Sequence, residues 1–469
     1  MRIRFLGVLG FLVLVYQTSG QSFGNFINYL NSLPVSERQT KVDSFLAINT
    51  VSPFIENDSA CNFFYSGNVQ SVQIAGDFSN WSSLLDLTKV EGTHFWYLSQ
   101  TYESDARLDY KLIINGNQWI LDPLNPYTCT GGFGPNSELR MPQYVPPVEV
   151  EYNSGIAHGL IRDTTFYSIY LKNSRKIWVY TPAGISPEKS YPVVYVHDGD
   201  GYLALASMRN VLDNLIAWGQ LQPLIAVFIP PVDRTEEYEG SKQAAFTDFM
   251  VKEVVPWIDK RYPTVLHPWG RANLGASNGG NISLWLTVSH PEVFGLVAAM
   301  SSNVENNIKT KLQQGVTPSV KYYLDIGTYD IPILIQRVAD FRQTLENGNE
   351  VFLFQQFHEG HSWGNWKAHI DDALIWLFGA TGSTGQNKES RFRCGFQRDN
   401  NSLMISFPAP IAVSFTCAVY DFAGRQLTAE LLPEGEKDFL VAVPPLNPGI
   451  YMVVLAGREF RVTEKVQVY

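Results

Sequence analysis

The residues with the clearest chemistry lie in Gly275-Ala276-Ser277-Asn278-Gly279-Gly280, a G-x-S-x-G pattern. A short apolar run, Ala272-Asn273-Leu274, precedes it, and a helical stretch, Asn281 to Ser289, follows. A serine on a sharp turn between strand and helix needs small neighbours. Such a turn lifts the hydroxyl clear of the sheet edge and aims backbone N–H groups at an oxyanion. The chemistry implied is acyl transfer with Ser277 as nucleophile. A serine of this kind needs a general base, and in this order of elements the acid comes next along the chain and the histidine last. Downstream of Ser277 stand His290, His358, His361 and His369. His361, in Glu359-Gly360-His361-Ser362-Trp363 after the apolar run Val351 to Phe357, is the expected base, with His358 its rival. His290 precedes Pro291 and is expected at a helix end. The acid is expected in Leu324-Asp325-Ile326-Gly327-Thr328-Tyr329-Asp330. Asp330, just past the strand, is favoured over Asp325 within it. His197-Asp198-Gly199-Asp200-Gly201-Tyr202 follows an earlier strand, so the backbone N–H groups of Asp200 and Asn278 are the expected oxyanion donors. His358-Glu359-Gly360-His361 separates its histidines by two residues where the zinc-binding H-E-x-x-H helix has three. No metal or cofactor is expected.

These residues must be positioned by regular elements. Pro192-Val193-Val194-Tyr195-Val196-His197, Leu224 to Ile229, Ala272 to Leu274 and Tyr322 to Ile326 read as buried parallel strands, and Phe246 to Tyr262 as an intervening amphipathic helix. Alternating strands and helices over 146–380 predict an α/β domain with a covered parallel sheet. Residues 21–145 read differently. A helical lead-in, Phe23 to Leu33, gives way between Asn62 and Tyr144 to short alternating strands separated by turns such as Asn115-Gly116-Asn117, the pattern of a β-sandwich. A proline cluster, Pro142 to Pro147, marks the boundary. Residues 381–391, rich in Gly, Ser and Thr, read as a linker, and 392–469 as a second small β-sandwich.

The chain of 469 residues suits roughly three domains at about 150 residues each. With 45% hydrophobic and 17% charged residues it has apolar material for real cores. Its formal net charge is −10 and it has no Lys/Arg-rich run, which excludes a nucleic-acid or anionic-membrane partner as the expected one. Arg2 and Arg4, then an apolar stretch from Phe5 to Tyr16 and Thr18-Ser19-Gly20, form the charged, apolar, small-residue order of a signal peptide over 1–20. That run is too short for a comfortable membrane span. Export permits disulfides, and the clustering of the four cysteines favours Cys61–Cys129 and Cys394–Cys417.

Residues 150–380 resemble the esterase family that includes enterochelin (enterobactin) esterases, esterase D and feruloyl or acetyl-xylan esterases. The resemblance rests on Val194 to Tyr202, Glu253-Val254-Val255-Pro256-Trp257-Ile258, Gly275 to Gly280, Pro291-Glu292-Val293-Phe294-Gly295, Gly327 to Asp330 and Gly360-His361-Ser362-Trp363. It implies a central α/β-hydrolase domain with Ser277, Asp330 and His361 as a triad, and the enterochelin-esterase branch looks most similar. There Ala75-Gly76-Asp77-Phe78-Ser79-Asn80-Trp81 resembles a turn of glycogen-binding-type modules, which makes Trp81 a candidate sugar contact. Arg234, in Arg234-Thr235-Glu236-Glu237-Tyr238, is a candidate substrate contact or else a surface ion pair, and Trp363 beside the base is a candidate substrate contact. At the other end, Val419 to Arg425 and Leu446-Asn447-Pro448-Gly449-Ile450-Tyr451 resemble the sorting domain of type IX secretion cargo, so secretion machinery is an implied partner. The resulting expectation is a secreted serine carboxylesterase acting on feruloyl or acetyl esters of plant polysaccharide. The alternatives are a siderophore esterase and a non-catalytic carbohydrate binder.

Overall fold

A computed structural model describes residues 22–379, 393–397, 401–406, 415–420, 426–446, 449–456 and 461–468. The expected signal peptide and linker lie outside the described residues. No helix among the described residues is long and apolar enough to cross a membrane.

The strands that bear on the chemistry are Val193–His197, Ile225–Ile229, Arg271–Ala276, Leu296–Met300, Lys321–Tyr329 and Val351–Gly360. They pair in parallel in the order Ile225, Val193, Arg271, Leu296, Lys321, Val351, each named by its first residue. Every residue of Val193–His197, Ile225–Ile229, Arg271–Ala276 and Leu296–Met300 is buried. Helices cover both faces of a parallel sheet, so its inner strands lose the in/out alternation of a half-exposed one. Leu296–Met300 was not among the expected strands: its five residues, Leu-Val-Ala-Ala-Met, follow a helix closely and carry no turn signal of their own. Also unexpected is the antiparallel pair Leu160–Ser168 and Asn173–Thr181 at the sheet edge.

The helix expected over Phe246 to Tyr262 forms as Gln243–Asp248 and Val255–Arg261, joined by a π-helical segment, Phe249–Val254. Pro256 has no N–H to donate back into the preceding turn, and a π segment is one way a helix absorbs such a break.

Residues 22–144 add a helical pair, Phe23–Ser32 and Val35–Ile48, and two sheets. One sheet has four strands, with Ala60–Ser66 and Phe95–Thr101 at its centre. The other contains Val72–Gly76, Arg107–Ile114, Thr128–Gly131 and Gly134–Arg140. Phe63, Ile74, Trp96, Leu108, Tyr110 and Leu139, drawn from both sheets, share one core. The second sheet is continuous with the central one, because Glu359 of Val351–Gly360 pairs with Arg107. Strands between Arg393 and Val468 form a three-stranded and a four-stranded sheet around Leu403, Ile405, Val419, Val441 and Val453.

The expected disulfides do not form. Cys61, Cys129 and Cys417 are free and buried. Closeness in sequence misled because each pair is divided between sheets. Cys61 sits in the four-stranded sheet and Cys129 in the extended one. Cys394 lies on the three-stranded sheet and Cys417 on the four-stranded one near the end of the chain. Burial raises the Cys129 thiol to about 11 and the Cys417 thiol to about 12.

One buried ion pair fixes the segment after Ile225–Ile229. The Arg175 guanidinium donates to both Glu237 carboxylate oxygens at 2.8 Å and lies over the Phe249 ring. Glu237 is fully buried. Removing one member of such a pair strands a charge in the core, so Glu237→Ala is expected to cost about 3–5 kcal/mol in chemical denaturation. A loss below about 1 kcal/mol would mean that the site stays wet.

Candidate active site

The three expected triad residues follow the carboxyl ends of three parallel strands, the edge where open α/β sheets bind ligands. Ser277 leaves Arg271–Ala276 with φ 55° and ψ −124° and caps the helix Asn278–Ser289. A non-glycine residue is strained at such a positive φ, and this strain is held by its surroundings. The Ser277 N–H donates to the Met300 carbonyl at 2.9 Å, and its own carbonyl accepts from the Asn281 and Asn303 N–H groups. The turn needs its glycines for space. A Cβ on Gly275 would strike the Gly279 backbone, and one on Gly279 would lie 2.7 Å from the Asp198 carboxylate.

Asp330 lies just beyond Lys321–Tyr329 with its side chain fully buried. Its Oδ1 is 2.8 Å from His361 Nδ1 and also accepts the Ile331 N–H at 2.6 Å. With Asp330 ionised, the proton sits on Nδ1, which leaves Nε2 as the basic nitrogen. Trp366 presents its ring edge-on to His361 at 5.1 Å. Asp325, the rival acid, is buried within its strand and accepts the Ser301 N–H at 3.0 Å. Burial raises its carboxyl to about 7. His358 pairs with Asp105 at 2.6 Å, and His290 caps the helix end and pairs with Glu292.

Asp200 and Asn278 are the second and first residues of the helices Gly199–Ala204 and Asn278–Ser289. N–H groups at those positions have no acceptor within their helix, so both are available to an anion. Arg234 is an ion-pair residue here. It forks onto Asp198 with two 2.8 Å bonds and reaches the Ala276 carbonyl, tying the expected oxyanion loop to the serine turn. Trp363 fills the space against Gly201, with Tyr202 edge-on at 5.3 Å. Trp81 donates its indole N–H to Asp77 at 2.9 Å, so its polar edge is engaged inside its own turn.

Three groups beside the serine escaped the sequence reading. Glu239 accepts from the side-chain amides of Asn278 and Asn303, at 2.8 and 2.9 Å, and Arg337 donates to the Asn303 carbonyl oxygen. They lie on separate segments and share no motif. The only signal was that Glu239 follows directly on the Arg234–Tyr238 segment.

Behind the histidine loop, His369 bonds Glu359 at 2.8 Å and stacks on Phe357. Burial alone would lower its pKa, but Glu359 and Asp372 outweigh that and push it up to about 9. A raised folded-state pKa stabilises fully below the unfolded value near 6.5, and this contribution is lost as pH rises through about 9. The melting temperature is therefore expected to fall between about pH 7 and pH 10, and less so in His369→Gln. Parallel curves for the two proteins would remove His369 as the cause.

The comparisons with known proteins point to a hydrolase on an α/β fold. Residues 168–377 match the family described as "Putative esterase" and carry the esterase-family α/β fold. The chain is 28% identical to an uncharacterized protein of Bacillus subtilis over 234 residues, 46% of this chain and 97% of that one. It is 30% identical to an endo-1,4-beta-xylanase/feruloyl esterase of Xylanibacter ruminicola over 165 residues, which cover 32% of this chain and 22% of that protein. It is 26% identical to an iron(III) enterobactin esterase of Escherichia coli over 284 residues, 56% of this chain and 68% of the relative. Among solved structures, the ferric enterobactin esterase of Salmonella typhimurium has the same fold over 71% of this chain and 98% of its own, with TM-score 0.62 and 19% identity. That of Shigella flexneri covers 69% of this chain and 94% of its own, with TM-score 0.60 and 22% identity.

Proposed function

We propose that the protein is a secreted serine carboxylesterase that hydrolyses esters through an acyl-enzyme, with feruloyl or acetyl esters of plant polysaccharide as substrates. The observation that carries the reading is Ser277 in a strained strand-to-helix turn on the same sheet edge as the 2.8 Å His361–Asp330 pair. His361 takes the Ser277 proton as the oxygen attacks the ester carbonyl. The oxyanion lies against the N–H groups of Asp200 and Asn278. His361 then protonates the departing alcohol, and water, activated by the same imidazole, releases the acid. Asp330 holds the ring and stabilises its cationic form. Because the base must be neutral, the rate is expected to rise from acid to neutral pH.

The charges near the serine turn favour a neutral acyl group. Asp198, Asp200 and Glu239 stand against Arg234 and Arg337, and Arg234 is already spent on Asp198. An iron–catecholate complex is anionic and gains no positive well here. The siderophore reading has in its favour the fold shared with the two enterobactin esterases over about 70% of the chain and the 26% identity to the Escherichia coli enterobactin esterase. Comparing kcat/KM on methyl ferulate, acetylated xylan and a tris-catechol trilactone tests this. Preference for the trilactone by tenfold or more would reverse the assignment.

In this reading, residues 1–20 direct export, and the β-strands before and after the esterase segment form accessory sandwich domains. The last one serves secretion machinery. Intact-mass measurement of the exported protein would show removal near Gly20. A cell-retained, full-length chain would count against export.

A further inference from the structure

The loop that carries His361 is gripped by residues from outside the esterase-family segment. Arg107, on the strand Arg107–Ile114, is fully buried. Its guanidinium donates to Ser362 Oγ at 3.0 Å and to Asp109 at 2.5 Å, and it lies 3.2 Å from Glu138 and 3.8 Å from Glu359. Ser362 is the residue after His361 and caps the helix Trp363–Phe378 by accepting the Asn365 N–H. Gly364 faces the same guanidinium so closely that any Cβ there would overlap it. On the other side, Gly360 rests on the Asp77 carboxyl group, with no room for a Cβ between them. Asp77 is fixed in turn by the Asp109 N–H at 2.7 Å and the Trp81 indole. Both neighbours of His361 in the chain, Gly360 and Ser362, are therefore set by the N-terminal sheet.

We propose that Arg107 is a positioning residue for catalysis, acting through Ser362 to hold the His361 imidazole in the orientation that Ser277 requires. The inference rests on the triad reading and gives the N-terminal strands a part in the reaction besides any contact with substrate. An arginine suits the task because its planar fork can satisfy several carboxylates and a hydroxyl at once, which a lysine cannot. A base displaced by about 1 Å loses on the order of a hundredfold in rate.

The test uses the full chain, p-nitrophenyl acetate as substrate and a fluorophosphonate to titrate active serines. Arg107→Lys and Ser362→Ala are expected to lower kcat per titrated site by about 10- to 100-fold with KM changed less than about threefold. Ser362→Thr, which keeps the oxygen, is expected to recover most of the rate. Circular dichroism establishes that each variant is folded. Ser362→Ala removes a single hydroxyl and leaves the buried charges paired, so it reports even if Arg107→Lys does not fold. The proposal is overturned if folded Ser362→Ala keeps kcat per site within about twofold of wild type. It is equally overturned if only the fraction of titratable sites falls, which is what a purely structural role would give. Failure of the triad reading looks different: the wild type would neither hydrolyse the ester nor take up the fluorophosphonate, and the proposal would go with it.

Discussion

Ser277→Ala is expected to lower kcat/KM on p-nitrophenyl acetate and methyl ferulate by at least about a thousandfold, equivalent to roughly 4 kcal/mol of transition-state stabilisation. The size follows from what is lost. Without the hydroxyl no acyl-enzyme forms, and His361 loses the serine proton it would accept. Water attack assisted by the two helix N-termini remains, which leaves a residual rate above that in solution. The fold should tolerate the change, since the Ser277 side chain is only half-buried and its backbone bonds to Met300, Asn281 and Asn303 stay in place. Steady-state kinetics with a matched melting curve is the measurement. If the mutant turns over ester within tenfold of wild type, another group is the nucleophile. If neither protein acts on any ester and neither is labelled by fluorophosphonate, the protein is better described as a binder on a hydrolase scaffold.

The second large effect is expected at Asp330→Asn, a fall in kcat of about a hundred- to ten-thousandfold. The geometry says why an isosteric amide cannot substitute. Oδ1 accepts from both the Ile331 N–H and the His361 side, while Oδ2 is buried without a hydrogen-bond partner among the described residues. An amide oxygen at the Oδ1 position would keep both bonds but bury an NH2 group with no acceptor. It would also withdraw the charge that stabilises the imidazolium. The opposite orientation would set an NH2 against the Ile331 N–H and favour the wrong tautomer of His361. Either way the base is weakened while Ser277 and both helix N-termini remain. KM should move little, and a pH–rate profile should show the loss across the whole range. A fall of less than tenfold would remove Asp330 as the acid. Asp325 is bonded to Ser301 instead and offers no ready replacement.

How much of this was legible beforehand differs by level. Within the esterase segment the order of elements could be read because several buried strands are continuous apolar runs separated by helical stretches. Leu296–Met300 was missed there, as was the antiparallel pair Leu160–Ser168 and Asn173–Thr181 at the sheet edge. The serine turn was legible for a local reason: only small residues fit where a helix N-terminus passes that close to a strand, so sterics wrote Gly275 and Gly279 into the chain. His361 could be chosen over His358 because glycine before it and serine after it marked a turn.

Other features were decided by spatial neighbours, which sequence proximity does not report. Four cysteines in two clusters suggested two bridges, yet the members of each pair lie on different sheets, and Cys61, Cys129 and Cys417 are free. Arg234 could be read as a substrate contact or an ion pair until the fold placed Asp198 within 2.8 Å. Glu239, Asn303 and Arg337 meet beside Ser277 from three segments that share no spacing rule. The sequence by itself determined the chemistry available, a serine, a histidine and carboxylates in hydrolase order on α/β elements. The tertiary structure decided which carboxylate serves the histidine and what holds that histidine still. Both depend on strand register: the pairing of Lys321–Tyr329 with Val351–Gly360 sets Asp330 against His361, and the single pairing of Glu359 with Arg107 brings a distant sheet to the same loop. Register is fixed by the packing of whole sheets, and no local run of residues encodes it.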